Sequence, residues 1–317
     1  MYRVGIDLGG TTIAAGIVEE KGTIVSRLTI ATGENLTGEE LIMRIAGLYR
    51  SLIRESGIPE NEIVMAGIGV PGTVNQKTGE IEDANNLGLD HYPFRDKLEE
   101  QIGRSVALEN DANVAALGEY YLQGLDVSSF FMVTLGTGVG GAYLVDKHIL
   151  TGVNGALGEI GHMVIERNGR PCTCGRRGCL EQYASARAFV KDTQRLMQEK
   201  QSGLLWEQYK NNLEALDGKK IFDAFRKHDR IAEESVARYV EYLGEGIVNV
   251  INILQPDVLC IGGGISQAGD CYFDRLKEYV RTYRYSQNAA KNTRIYMAKN
   301  GNDAAIIGAA MQEIRKS

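Results

Sequence analysis

The chain opens on VGIDLGGTTIAAGIV, Val4 to Val18, and the architecture can be read outward from it. Val4 to Asp7 reads as a buried strand, Gly9 and Gly10 as a tight turn, and Ile13 to Val18 as a second strand. The pattern returns at 131–145, FMVTLGTGVGGAYLV, which lies on the first stretch without a gap. Leu8, Gly9, Ala15 and Val18 meet identical residues at Leu135, Gly136, Ala142 and Val145. Two strand–glycine–strand hairpins, each opening a half of the chain, predict two related domains. At 317 residues the chain is also too long for one ordinary core.

Helical and strand patterns alternate after each hairpin, so the class is α/β. Leu41, Ile42, Ile45, Leu48, Leu52 and Ile53 recur at helical spacing within 39–55. IVMAGIGV at 63–70 reads as a buried strand ended by Pro71 and Gly72. Asn110 and Asp111 supply N-terminal capping chemistry for a helix over NDANVAALGEYYL. Residues 232–254 read as a long helix, and VLCIGGGIS at 258–266 as a strand running into a glycine loop. The polar stretch 200–220, which holds the sole Trp, has weak helical periodicity and no assigned role.

A hydrophobic content of 44% with 24% charged residues belongs to a soluble globular protein. The net charge of −6 argues against nucleic acid as the main partner, although Arg170, Arg176 and Arg177 make a local basic cluster. Asp7 interrupts the first apolar run, so no secretion signal is expected there. The best candidate for a membrane span, 242–265, is broken by Glu245, Pro256 and Asp257. A cytoplasmic location is therefore expected, with no membrane partner. That reducing compartment and the odd count of five cysteines both disfavour a disulfide framework.

DLGGTT at 7–12 offers backbone amides at Gly9 and Gly10 and hydroxyls at Thr11 and Thr12. LGTGVGG, with Gly136, Thr137 and Gly138, offers the same again, and Gly262, Gly263 and Gly264 form a third loop. Such loops can wrap phosphate oxygens, while Asp7 can hold Mg2+ through water. The plainer reading of each is a tight turn. Neither a P-loop nor G-x-G-x-x-G is present, which disfavours a Rossmann dehydrogenase.

RPCTCGRRGCLE at 170–181 brings Cys172, Cys174 and Cys179 together, and His162 precedes them in GEIGH. Three thiolates and an imidazole are the preferred donors of tetrahedral Zn2+, and four protein ligands leave no open position, so the metal would be structural. Gly175 and Gly178 let the chain curl round the ion. The alternatives are three reduced thiols in a loop, or a catalytic thiol, for which no adjacent base is evident. His91, His148 and His228 read as surface residues, Cys260 as core, and Cys271 as a loop residue without a role.

GIDLGGTT, ENDAN, LGTGVGG, GEIGH and the cysteine cluster together resemble the bacterial repressor–ORF–kinase (ROK) family of sugar kinases, most like its glucokinases. The resemblance runs from Val4 to about Ala310 and takes in GVPGTVN, LDGKKIFDA, QPDVLCIGGGIS and GNDAAIIGAA. It implies the actin-like ATPase (ribonuclease H-like) fold, two α/β domains around a central cleft, with ATP between the hairpin loops and the sugar deeper. On that pattern an N-terminal α/β domain comprises 1–114 plus 302–317, and a C-terminal α/β domain with the zinc-binding loop comprises 115–301. A helix from Asp303 to Ile314 should pack back on the first domain. The chain begins at its first strand, so the DNA-binding helix-turn-helix of repressor-related members is expected to be absent. The implied activity is ATP-dependent phosphorylation of a hexose, glucose to glucose 6-phosphate first, in carbohydrate metabolism. The implied cofactors are ATP with catalytic Mg2+ and structural Zn2+, and the implied assembly is a homodimer or homotetramer.

The resemblance also assigns residues. Asp111 is the general base that accepts the proton of the sugar 6-hydroxyl as that oxygen attacks the γ-phosphate, its carboxylate kept ionised by the helix N-terminus. Gly72, Asn86, Asn110, Asp111, Glu159, His162 and Glu181 contact the sugar. Asp7 and the three glycine loops hold ATP and Mg2+. His162 gives one ring nitrogen to zinc and its other N–H to a hydroxyl, which makes the metal a scaffold for the sugar site. The chain departs from the pattern at Leu89, where many family glucokinases carry Trp after NLG. An N-acetylmannosamine or N-acetylglucosamine kinase is the alternative substrate reading. A non-catalytic sugar sensor is a third, against which the presence of Asp7, Asp111 and the glycine loops stands.

Overall fold

A computed structural model describes residues 1–265, 271–299 and 301–313, apart from the side chains of 85, 301 and 302. In the first half, β1 (Tyr2–Leu8), β2 (Thr12–Glu19) and β3 (Ile24–Ala31) form an antiparallel meander. α1 (Gly38–Ser56) leads into β4 (Ile63–Val70), and β5 (Thr73–Asn75), β6 (Glu80–Ala84) and β7 (Leu89–Tyr92) make a small sheet. α2 (Phe94–Ile102), β8 (Val106–Asn110) and α3 (Asp111–Leu122) complete this half. The main sheet has the order β3-β2-β1-β4-β8, with β4 parallel to both β1 and β8.

The second half opens with β9 (Ser129–Leu135), β10 (Val139–Val145) and β11 (His148–Leu150). Five helices come next: α4 (Glu181–Ala184), α5 (Ala186–Lys200), α6 (Gly203–Tyr209), α7 (Gly218–Arg226) and α8 (Arg230–Leu254). β12 (Val258–Gly262), α9 (Phe273–Tyr283), β13 (Arg294–Met297) and α10 (Gly301–Met311) end the described chain. Its sheet order is β11-β10-β9-β12-β13. Numbered within each half, both sheets read 3-2-1-4-5, which is the repeat that the matched hairpins predict.

Local signals explain the elements. Thr37 accepts from the Glu40 amide while the Glu40 carboxylate accepts from the Thr37 amide, a capping box that starts α1. Gly57, at φ 70°, ends it. The predicted face of α1, with Leu41, Ile42, Ile45, Leu48 and Leu52, is buried in one core with Val4, Ile6, Ile13 and Ile68 of the strands. In the other half the buried Asp229 carboxylate accepts from Ala232 in the first turn of α8 and from Leu204 at the start of α6. The segment 200–220 thereby acquires a structural role, as a short helix tied to the N-terminus of the longest one. His91, His148 and His228 are exposed and Cys260 lies in the core, while Cys271 is buried rather than in an open loop. Among the described residues no helix is long and apolar enough to cross a membrane.

The chain divides into two compact units, Met1–Ser128 with Ala142–Leu157 and Lys299–Ser317, and Ser129–Gly141 with Gly158–Ala298. The expected boundary after residue 114 falls inside α3, which stays whole in the first unit because α10 packs on it. The two backbones approach so closely that a Cβ on Gly308 would lie 1.6 Å from the Val114 carbonyl oxygen, and one on Gly118 would lie 1.7 Å from that of Ala304. α10 covers most of the predicted C-terminal helix, whose last residue, Ile314, lies outside the described residues.

Candidate active site

In the first unit, β1 delivers Asp7 to the base of the hairpin tip formed by 9–12. The tip holds its own shape. The Gly9 amide donates to the Thr12 carbonyl at 2.9 Å, and the buried Thr32 hydroxyl donates to the Gly9 carbonyl at 2.6 Å. Gly9 was expected to offer its amide to phosphate, but closing the turn occupies it. Gly10, Thr11 and Thr12 are exposed and remain available.

β8 ends beside β4 and places Asn110 and Asp111 at the start of α3. Asn110 is the cap: its side-chain oxygen accepts from Ala112 and Asn113, and its amide donates to the Gly72 carbonyl at 3.0 Å. An asparagine amide has two N–H donors, and the second is turned to the Asp111 carboxylate. Gly72 sits at φ 148°, and a Cβ there would lie 2.2 Å from the Asp83 carbonyl oxygen, so glycine alone fits. Asn86 lies on a single 3-10 turn and is exposed. Leu89 is buried in the core of the first unit, so it serves packing.

Asp111 is the first residue of α3 rather than its cap, and one carboxylate oxygen accepts from the Ala112 amide at 2.8 Å. Burial pushes its pKa up, and the amides of Ala112 and Asp111 with the Asn110 side chain offset that only in part. The expected dominance of the helix N-terminus is therefore reversed by desolvation. Burial, and then the Asp111 charge, raise Asp7 to about 6. The Asp111 charge thus reaches Asp7, and among the described residues the Asp7 side chain has no hydrogen-bond or ion-pair partner. An acid in that position fits a cation. Glu109 was not anticipated: it is buried and accepts from the Asn110 amide, the Asn113 side chain and Gln76, which fixes the entrance of α3 from behind. Its place in LENDAN was the only available signal.

In the second unit, the Gly136 amide donates to the Gly138 carbonyl at 3.0 Å, and the Gly136 carbonyl accepts from Ala186 at the start of α5. The expected Gly136 amide is thus turned inward at the position that matches Gly9. Gly263, at φ 94°, presses against the end of β9, where a Cβ would lie 2.2 Å from the Leu135 carbonyl oxygen. A cavity of about 360 Å3 opens among Thr134, Gly136, Gly138, Gly263 and Glu181. Glu181, expected on the sugar, accepts from the Val139 amide at 3.2 Å and so braces this glycine loop. Gly262 ends β12 in register with Thr134, and Gly264 faces open space. Glu159 is exposed and its carbonyl accepts from the His162 amide.

The donor atoms of His162, Cys172, Cys174 and Cys179 lie within 4.8 Å of one another. Cys174 and Cys179 sulfurs are 3.6 Å apart, and Cys172 Sγ is 3.6 Å from His162 Nδ1. A tetrahedron with Zn–S bonds of about 2.3 Å has edges of about 3.8 Å, slightly shorter toward a nitrogen, so these residues fit Zn2+. The sulfur separation is well beyond the ~2.05 Å of a disulfide. Burial pushes the Cys172 thiol up, but hydrogen bonds from Cys174, His162 and Cys179 bring it down to about 6. Burial and the neighbouring sulfurs push Cys179 up to about 12. A divalent ion would relieve that crowding of thiolates. Gln182, not singled out by the sequence, donates to Cys172 Sγ at 3.6 Å.

A duplicated 3-2-1-4-5 sheet with a glycine turn at the same place in each copy is the architecture of the two-domain actin-like ATPases, here with a carboxylate pair in one copy. The sequence pattern of the ROK family matches residues 3–315, and the chain belongs to that family. It is 37% identical over 310 residues to a glucokinase of Halalkalibacterium halodurans, covering 97% of this chain and 93% of that one. A ROK hexokinase from Thermus thermophilus is similar in structure, with a TM-score of 0.82 and 32% identity over 98% of this chain and 97% of that one. So is a ROK glucokinase from Streptomyces griseus in complex with glucose and AMPPNP, with a TM-score of 0.76 and 31% identity over 98% of both chains.

Proposed function

We propose that this chain transfers the γ-phosphoryl group of ATP to the 6-hydroxyl of a hexose, glucose first. The observation that carries the reading is the half-buried pair Asp7 and Asp111 beside an exposed Gly-Thr-Thr tip, in a chain similar to glucokinases along its whole length. Asp111 accepts the proton of the attacking hydroxyl. Its raised pKa brings the carboxylate closer to the range in which a base works, and such a base contributes about 10²–10⁴-fold. Asn110, fastened to Gly72 and turned to the Asp111 carboxylate, fixes the direction from which Asp111 acts and is itself proposed as a sugar contact. Gly72 and Asn86 border the same end of the first unit's strands and are proposed as further sugar contacts.

Mg2+, held through Asp7, would supply charge neutralisation at the phosphates. Gly10, Thr11 and Thr12 of the first unit, and Thr137, Gly138 and Gly262 to Gly264 of the second, are the proposed phosphate and nucleotide contacts. His162 turns Nδ1 toward Cys172, which leaves Nε2 to meet a sugar hydroxyl once zinc fixes the ring. Glu159 and Glu181 complete the proposed set, with Glu181 joining the sugar side to the glycine loop.

The test is ADP release by the purified protein with Mg-ATP and, separately, glucose, N-acetylmannosamine, N-acetylglucosamine, mannose and fructose. Glucose should turn over fastest. Preference for an N-acetylated sugar would replace the substrate and keep the kinase. A folded, zinc-loaded protein idle on every sugar would sink the reading.

A further inference from the structure

A second cavity in the second unit, about 440 Å3, lies along α5 and shares no residue with the one formed by the glycine loops. Its lining carries Arg170, Arg187, Lys191 and Arg195 against a single carboxylate, Asp192. That local excess of positive charge sits in a chain whose net charge is −6. Arg187, Lys191 and Arg195 are four residues apart, so they line one face of α5 at intervals of about 6 Å over about 12 Å.

The cations are not equally engaged. Arg170 is built in: its guanidinium lies 4.4 Å from the Tyr183 ring centroid and donates to Asp192 at 2.9 Å and to the Gln182 carbonyl at 2.8 Å. Arg195 reaches Asp192 at 3.5 Å and Glu199 at 3.8 Å. Arg187 and Lys191 have no hydrogen-bond or ion-pair partner among the described residues, although both border the cavity. The volume is that of a small-ligand site. Guanidinium groups favour phosphoryl oxygens, which they can grip through paired N–H donors.

We propose that this cavity binds a linear oligophosphate, with Arg187 and Lys191 as its principal contacts and Arg170 as the anchored end of the site. A row of cations suits a chain of phosphoryl groups, because a single orthophosphate can reach only one or two of them.

Binding of sodium tripolyphosphate to the full chain, measured by titration calorimetry with AMPPNP at saturation to block the glycine loops, tests this. A saturable site should persist, weaken at least tenfold in Arg187→Gln/Lys191→Gln, and bind orthophosphate at least tenfold less tightly. Both substituted side chains are exposed and unpaired, so the variant should keep the wild-type melting temperature. Loss of all tripolyphosphate binding under AMPPNP would overturn the proposal. So would unchanged affinity in the folded double variant, or equal affinity for orthophosphate.

Discussion

The two halves of this protein share one strand order and use it for different chemistry. The hairpin of the first half carries Asp7 where the gapless match puts Thr134 in the second, so one copy presents a carboxylate and the other a hydroxyl. Gly9 and Gly136 occupy matching places, and in both copies the glycine amide closes the turn. The backbone device was kept while the charge was not. The segments beyond the strands differ still more. The first half adds an acid at the mouth of a helix, Asp111, and the second adds a cysteine loop. The shared strand order gives both halves one frame, and the connecting segments and single residues carry the chemistry.

Removing zinc should affect one half and spare the other. Structural zinc is worth about 10–16 kcal/mol in small peptides. Cys179→Ser should lose stoichiometric zinc by elemental analysis and lower the melting temperature. Full zinc retention in that variant, or none in the wild type, would remove the metal from the second half. Asp111→Asn tests the first half: turnover should fall at least a hundredfold, about 3 kcal/mol or more, with sugar affinity kept by calorimetry. Near-normal turnover would take Asp111 out of the base role and level the contrast between the halves.

Gly308→Ala sharpens the comparison, since α10 belongs to the first unit although it lies at the far end of the chain. Its Cβ would meet backbone at Val114, which cannot swing aside, and the loss should be about 3 kcal/mol, or roughly 2–4 °C in melting temperature per kcal/mol. An unchanged melting temperature would refute the close helix contact. The smallest effect concerns Asp7. Its folded pKa of about 6 lies above the ordinary 3.8, so the folded state binds the extra proton and stability falls as pH rises between those values. In metal-free protein Asp7→Asn should therefore raise stability at pH 7 by roughly 1–2 kcal/mol, and the gain should vanish toward pH 4. A gain that grows on acidification would reverse the sign and the argument.

Much of the frame was legible because it is local. The period of Leu41 to Leu52, the Thr37–Glu40 box and the paired glycine hairpins are all written within short windows. The cluster of metal-type donors was legible for the same reason, three of them falling within eight positions. The direction of the Asp111 pKa was not, because desolvation depends on what surrounds the helix mouth. Thr32 on Gly9 and Glu181 on Val139 were also missed, since each depends on which way a side chain or amide turns after packing.

The sequence by itself determined the α/β class, the duplicated hairpin, the family resemblance and the four metal-type donors, because periodicity, turn residues and ligand spacing act between near neighbours. Only the tertiary structure decided that Gly9 and Gly136 turn their amides inward, that the Asp111 charge reaches Asp7, and that four cations gather along α5. Those outcomes depend on burial and on approach between residues distant in the chain, which no local pattern encodes.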